Sequence, residues 1–430
     1  MTVADHGMPE DLSQSTVTAA TAATFRNLPG SRAMQEPSGV LGTSVRDLLL
    51  PTLALRGSAL RHNVDLFARW CEENGVSHAP HGKTTMAPQL FRSQLEAGAW
   101  AVTAATVAQT RLMWEHGVRR VLLANQVVDR PGLEWVAGTL AADPTFALLV
   151  LVDSVAGVQR MDDLLGSAGL AGRLDVLLEL GASGGRAGVR TLAEADAVAA
   201  AVNRARHLDL AGVECFEGIY PPDRTDDSVA GVDALVGSLT ELLVALDERG
   251  VLKDREEVVI SAGGSCYPDR AASLLAALPS LSRPARAVVR SGCYLTHDHG
   301  RLGRCSPLHA EAGHHLGALQ PALELWAHVL AAPEPGLALC GFGKRDAPYD
   351  VDLPVVLGRV EEDRSWSPVQ GARVASLNDQ HAFVRHEADL AVGDLLVFGV
   401  SHPCTAFDKW PLVPVLDDND CVVDVIRTYF

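Results

Sequence analysis

From Val76 onward the chain repeats one pattern: a short apolar run, then a stretch in which apolar positions recur every three or four residues. Eight such runs stand at 76–81, 99–103, 120–124, 147–152, 174–179, 210–215, 257–260 and 286–290. Short apolar runs bounded by helical patterns read as strands of a parallel sheet, covered on both faces. The intervening stretches, such as Val107 to His116, Leu192 to Arg206 and Val232 to Glu248, carry helical spacing and suit right-handed crossovers. Eight strand–helix units are the count of an α/β (β/α)8 TIM barrel, with a doubly wound open sheet as the competing arrangement. A barrel gathers its chemistry just past the carboxyl ends of the strands.

The pattern differs on either side. Residues 1–45 are rich in Ala, Thr, Ser and Gly without periodicity and read as a loose extension. Pro51 to Arg56 reads as a strand, and Ala59 to Glu73 as a helix with Leu60, Val64, Phe67 and Trp70 on one face. After about residue 305 the helical patterns give way to short β-like pieces set off by Gly, Pro and Asp: 324–330, 337–340, 355–360, 373–377, 395–400 and 421–427. The expected domains are a barrel over 46–305 and a mostly β domain over 306–430.

Composition narrows the partners. A formal net charge of -17 argues against a nucleic-acid binder and against an anionic membrane surface. Hydrophobic residues make up 47% of the chain, which describes a folded protein, yet no window offers the roughly 20 apolar residues of a membrane span. Asp5, Glu10 and Asp11 stand where a secretory leader would be basic. Eight cysteines, at 71, 215, 266, 293, 305, 340, 404 and 421, form no CxxC pair and read as reduced thiols of a cytoplasmic protein.

Three stretches carry candidate chemistry. In Ala79-Pro80-His81-Gly82-Lys83-Thr84-Thr85-Met86 a lysine closes the first run and opens a helical pattern. Pro80 disfavours helix and Gly82 permits a tight backbone, so Lys83 is expected on a defined strand-to-helix turn. Past the seventh and eighth runs lie Gly263-Gly264-Ser265 and Arg290-Ser291-Gly292, the ordinal places at which barrels bind phosphate. A phosphate there and a lysine after strand one suit pyridoxal 5′-phosphate, with Lys83 as Schiff-base partner. Arg290 then stands either near the pyridine ring or in a barrel-end salt bridge. The glycine run from Leu178 to Val189 suits close approach of backbone to a ring. In Ser401-His402-Pro403-Cys404, read as extended, residues two apart face one way, so His402 and Cys404 could share a cation. Imidazole plus thiolate favours zinc, and two protein ligands leave room for substrate or water. His381 either lines the same pocket or caps a strand turn.

Together, HGKTT, the GGS and RSG turns, ELGASGGRAGV and SHPCTAFDKW resemble the fold-type III pyridoxal phosphate enzymes of the D-serine dehydratase and D-threonine aldolase group, over roughly residues 50–430. The resemblance implies an alanine-racemase-like barrel coupled to a β domain, with the strand at 52–56 belonging to the latter, and a homodimer. It implies Lys83 as the Schiff-base lysine; Gly263, Gly264 and Ser265 as phosphate contacts; Arg186, Arg290, Ser291, Gly292 and Tyr294 near the cofactor; His81 in the substrate pocket; and His402 with Cys404 as zinc ligands. Cys404 favours the dehydratases, since the aldolases look to carry a carboxylate there. Thr85 departs from relatives that have His two positions after the lysine, and points to the branch called cryptic D-serine deaminases. The implied activity is release of ammonia from a D-β-hydroxy amino acid, D-serine giving pyruvate. A retro-aldol enzyme, a racemase and a non-catalytic cofactor carrier are the alternatives.

Overall fold

The computed structural model describes residues 40–430, so most of the expected extension over 1–45 lies outside the described residues. The chain divides into two compact units, one of residues 61–321 with Tyr429, the other of the segments before and after them.

The first unit is the barrel. Its strands are β2 (Ser77–His78), β3 (Val102–Ala104), β4 (Arg120–Leu123), β5 (Ala147–Val152), β6 (Leu174–Leu180), β7 (Leu208–Cys215), β8 (Val258–Ala262) and β9 (Ala285–Val289), numbered after β1 (Thr52–Arg56). All pair in parallel, in the order β2-β9-β8-β7-β6-β5-β4-β3. The sheet closes on itself where the chain after β2 meets β3: Thr103 N donates to Pro80 O (2.8 Å), Trp100 N to His78 O (2.7 Å), and His81 bridges Thr103. Inside, small residues (Ala79, Ala101, Ala211) sit among large ones (Leu122, Leu149, Leu151, Leu177, Val259, Val288), filling a barrel too narrow for large side chains from every strand.

The outer ring comprises α1 (Gly57–Glu73), α2 (Pro88–Glu96), α3 (Val107–Glu115), α4 (Arg130–Ala142), α5 (Val155–Ser167), α6 (Leu192–Arg204), α7 (Asp226–Glu248) and α8 (Pro268–Ala276), with the short α9 (Arg301–Cys305) after the last strand. Side chains of Thr106, Asp129, Ser154, Thr191 and Thr225 accept from first-turn backbone N–H groups, which fixes where five helices start. By length and composition α7 is apolar enough to cross a membrane, contrary to the sequence expectation. Its Val232, Leu235, Val236, Leu239, Leu242, Leu243 and Leu246 are buried in the ring instead, where it packs on β7, β8 and α8.

The second unit is a mostly antiparallel sheet. It holds β10 (Leu323–Glu334), β11 (Leu337–Cys340), β12 (Val355–Val360), β13 (Trp366–Ser367), β14 (Arg373–Leu377), β15 (Ala382–Arg385), β16 (Leu395–Gly399), β17 (Leu412–Leu416) and β18 (Val422–Arg427). The main path runs β13-β12-β16-β10-β1-β17-β18, so β1, from the other end of the chain, occupies the middle. Arg56 fixes it there through ion pairs with Glu324 and Asp420, both 2.8 Å. The unit begins again at Ala322, later than the change of rhythm near residue 305. Residues between belong to the barrel unit, where Asn63 Nδ2 donates to Gln320 O (2.7 Å).

One expectation is corrected. Cys266 and Cys305 form a disulfide, with Cα atoms 5.2 Å apart, rather than two reduced thiols. They lie 39 positions apart, and only the fold brings α9 back against the chain after β8, so spacing could not reveal the pair.

Candidate active site

Lys83 stands on the 3-10 turn Gly82–Thr84, directly beyond the extended chain that continues β2. A Cβ on Gly82 would lie 2.6 Å from Met113, 2.8 Å from Val102 and 2.9 Å from Phe91. Only glycine lets the turn sit this close to the barrel wall, and Lys83 is thereby held half-buried at the mouth.

The two glycine–serine turns meet beside it. Ser291 Oγ donates to Gly264 O (2.7 Å) and Cys293 N donates to Ser265 Oγ (3.3 Å), tying the turn after β9 to the turn after β8. A Cβ on Gly292 would lie 2.7 Å from His81 Cβ, so the same turn abuts the segment that carries Lys83. Side chains at Gly263 and Gly264 would collide with Arg290 and Glu217 respectively.

Arg290 is buried. Nη1 donates to Ser261 Oγ (2.6 Å), Nη2 donates to Cys215 O (2.9 Å) and pairs with Glu214 Oε2 (2.6 Å). Arg290 is therefore salt-bridged, and its Nε, beside Gly263, has no hydrogen-bond partner and keeps one donor to offer. Glu214 lies opposite Glu179 in the β6–β7 register, and Gln126 donates to Glu179. Burial lifts Glu214 to about 7 against the pull of Arg290, and burial raises Glu179 as well. His81 is held well below its ordinary value, by burial and then by the positive charges of Lys83, Arg290 and Arg186. It is a neutral imidazole whose Nδ1 has no partner.

Arg186, in the exposed loop after β6, lays its guanidinium over the Phe216 ring at 4.6 Å. Tyr294 faces the packing behind the mouth: its hydroxyl accepts from Gln94 (2.9 Å), and its ring stacks on Phe67 at 4.3 Å. A primary amine, two joined turns whose glycines leave the backbone uncovered, and unpartnered nitrogens on His81 and Arg290 fit an aldehyde that bears a phosphate.

The His402–Cys404 pair belongs to the β unit. The extended geometry expected there is not what forms: Pro403–Thr405 is a 3-10 turn, because proline at its start favours the turn over continued strand. The turn still brings imidazole and sulfur together. A hydrogen bond with Cys404, and after it contact with Asp350, raises His402. Asp350 Oδ2 lies 2.6 Å from His402 Nδ1, and Thr405 Oγ1 donates to Oδ1 (2.8 Å). A carboxylate on one ring nitrogen orients the other, as around metal-bound histidines. Among the described residues no group of three or more His, Cys, Asp and Glu side chains assembles for a metal, so this donor set fits only an open, two-ligand site. His381 is exposed, and its carbonyl accepts from Asn378 N (2.8 Å) in a turn leading into β15.

Gln126, Glu179, Glu214, Phe216 and Glu217 were not read from the sequence as site residues. A signal existed: Val213-Glu214-Cys215-Phe216-Glu217 places two acids at the carboxyl end of an otherwise apolar strand.

A parallel barrel coupled to a β unit is the fold of solved fold-type III pyridoxal phosphate enzymes, the class of structures this chain is similar to. Within that class the chain resembles the D-serine dehydratase and D-threonine aldolase family. Residues 322–416 match the family described as "Putative serine dehydratase domain". The 3-hydroxy-D-aspartate aldolase of Paracoccus denitrificans (strain Pd 1222) is 25% identical over 325 residues, 74% of this chain and 78% of that protein. D-threonine aldolase from Filomicrobium marinum superposes with a TM-score of 0.76 at 24% identity, covering 90% of this chain and 97% of its own. D-threo-3-hydroxyaspartate dehydratase from Delftia sp. HT23 does so at 0.67 and 19%, covering 90% and 99%.

Proposed function

We propose that this chain is a pyridoxal-phosphate-dependent lyase of D-amino acids that carry a β-hydroxyl, releasing ammonia from a substrate such as D-serine, with zinc held by His402 and Cys404. The observation that carries the reading is the convergence of Lys83, the two joined glycine–serine turns and Arg290 at one barrel mouth. The cofactor, when bound, supplies an electron sink for charge developing at the substrate α-carbon. Lys83 would anchor it, and its free amine would be the base that takes the α-proton. The joined turns would hold the phosphate through backbone N–H groups, and Arg290 Nε would offer its free donor to the cofactor. Neutral His81 adds no further positive charge beside the amine.

Zinc at His402 and Cys404 would supply Lewis acidity to a β-oxygen. Support comes from solved structures of D-threo-3-hydroxyaspartate dehydratase, which include alanine variants at a histidine and at a cysteine two positions later, the latter in a metal-free form. His402 and Cys404 have the same spacing.

A second reading, retro-aldol cleavage, is favoured by the aldolases among the relatives. Products separate the two. Cofactor-loaded protein is incubated with D-serine, D-threonine and 3-hydroxy-D-aspartate, with and without a chelator. Keto acid and ammonia, lost with the chelator, support the dehydratase, while glycine and an aldehyde support the aldolase. Cofactor binding without turnover of any of these would leave a carrier. Replacing His402 and Cys404 together by Ala is expected to lower ammonia release at least a hundredfold, and unchanged release would overturn the metal assignment.

A further inference from the structure

Glu217 has no role in the reading above, yet it touches the phosphate turn. It stands on the 3-10 turn Glu217–Ile219 after β7, is 0% exposed, and neither carboxyl oxygen has a hydrogen bond of good geometry, the backbone N–H groups of Glu217 itself and of Gly263 being the donors near enough to favour its charged form, which burial outweighs. A Cβ on Gly264 would lie 2.8 Å from Glu217 Oε1, so the carboxyl sits directly against the backbone expected to cradle phosphate.

Of the charged groups around it, Arg290 favours its ionised form but is already engaged elsewhere. Arg290, from the end of β9, is engaged by Glu214 at 2.6 Å and by Ser261 and Cys215. Asp269, on α8, repels it and is itself paired with Arg224 at 2.6 Å. Cys215 and Glu214, on β7, are buried, the thiol kept protonated by that burial. An ionised Glu217 would therefore be a buried carboxylate with no cation of its own beside a site built for a dianion, and two like charges at such range in a dry site repel strongly. A neutral carboxyl in the same place is a hydrogen-bond donor.

We propose that Glu217 is carried as the neutral acid and donates its O–H to the cofactor phosphate, so that the hold on the phosphate is linked to a proton. The inference rests on the pyridoxal phosphate reading. Burial shifts Glu217 to about 7, in the direction the geometry requires. Raising the pH through that value removes the donor and sets a negative charge against the phosphate.

The test titrates full-length apoprotein with pyridoxal 5′-phosphate between pH 6 and 9, following the visible absorption of lysine-bound cofactor, for wild type and Glu217→Gln. Glutamine keeps the shape and a donor at every pH. Wild type is expected to weaken at least fivefold more steeply across the range than E217Q. Pyridoxal, which lacks the phosphate, is expected to show the same pH dependence with both proteins. Parallel slopes for the phosphorylated cofactor would overturn the proposal. So would wild-type slopes that are equal with and without the phosphate, a comparison that needs no variant. Absence of the lysine-bound band in wild type at every pH is a different result and overturns the cofactor reading itself.

Discussion

Arg290 sets the charge of the mouth. It is the cation that permits Glu214 to be buried, and its loss would leave that carboxylate unpaired. Arg290→Met is expected to destabilise the apoprotein, by up to about 3–5 kcal/mol at alkaline pH where Glu214 would be ionised, seen as a lowered thermal midpoint, whereas adding Glu214→Gln recovers much of the loss because both charges are then gone. Glu214 and Glu217 also govern pH dependence. Both carry values near 7, above the ordinary 4.5 of an exposed glutamate, so the native state keeps protons that the unfolded chain releases. Their favourable contribution is intact below about pH 4.5 and declines as pH rises to about 7, by on the order of 3 kcal/mol for each group. Apoprotein melting midpoints are expected to fall between pH 5 and 8, and Glu214→Gln or Glu217→Gln should flatten that decline. The turn that carries Lys83 was legible because proline and glycine mark it. The glutamates were not, because an acid at a strand end looks solvated until the barrel closes around it.

At the scale of elements, two turns decide how the mouth is shaped. Gly82→Ala forces its new methyl into Met113, Val102 and Phe91. It should cost about 1–3 kcal/mol and weaken cofactor binding, measurable as a shift in the half-saturation of the lysine-bound band. The disulfide acts from the other side, holding Cys266, the residue after Ser265, to α9. Closing a loop of 39 residues is worth about 3–4 kcal/mol in chain entropy, so reductant should lower the melting midpoint, and a non-reducing peptide map should show the Cys266–Cys305 link. All eight barrel strands were legible, since each is an apolar run of the right length. The two-residue β13 was missed, as were β15 and β17, for different reasons. Ala382–Arg385 is too short to show alternation, and Pro414 inside Leu412–Leu416 argues against a strand until β1 pairs in parallel near its end. The geometry of His402 and Cys404 was misread because local proline chemistry made a turn where alternation suggested a strand.

The whole molecule is an interleaving that periodicity cannot display. Only family resemblance suggested that the strand at 52–56 belongs with the distant β domain. Arg56 and its partner Glu324 are 268 positions apart, with the entire barrel between them. At the other edge, Gly42 N donates to Val422 O (2.8 Å) and Ser44 bridges Cys421, so the first described residues lie beside the last strand. A circular permutant that begins at Ala322 and joins the old ends by a flexible linker would therefore make each unit continuous apart from Tyr429. It is expected to refold faster than the natural order in stopped-flow fluorescence, because pairing β1 would no longer await closure over the barrel.

The central place of β1 has a consequence for biosynthesis. The segment leaves the ribosome early, then waits roughly tens of seconds at ordinary elongation rates before β10 and β17 exist to receive it. During that interval Thr52-Leu53-Ala54-Leu55-Arg56 is an apolar strand with both edges open. A nascent chain of this protein is thus most exposed to holding chaperones, and to misassembly with a neighbouring nascent chain, while its barrel is being made.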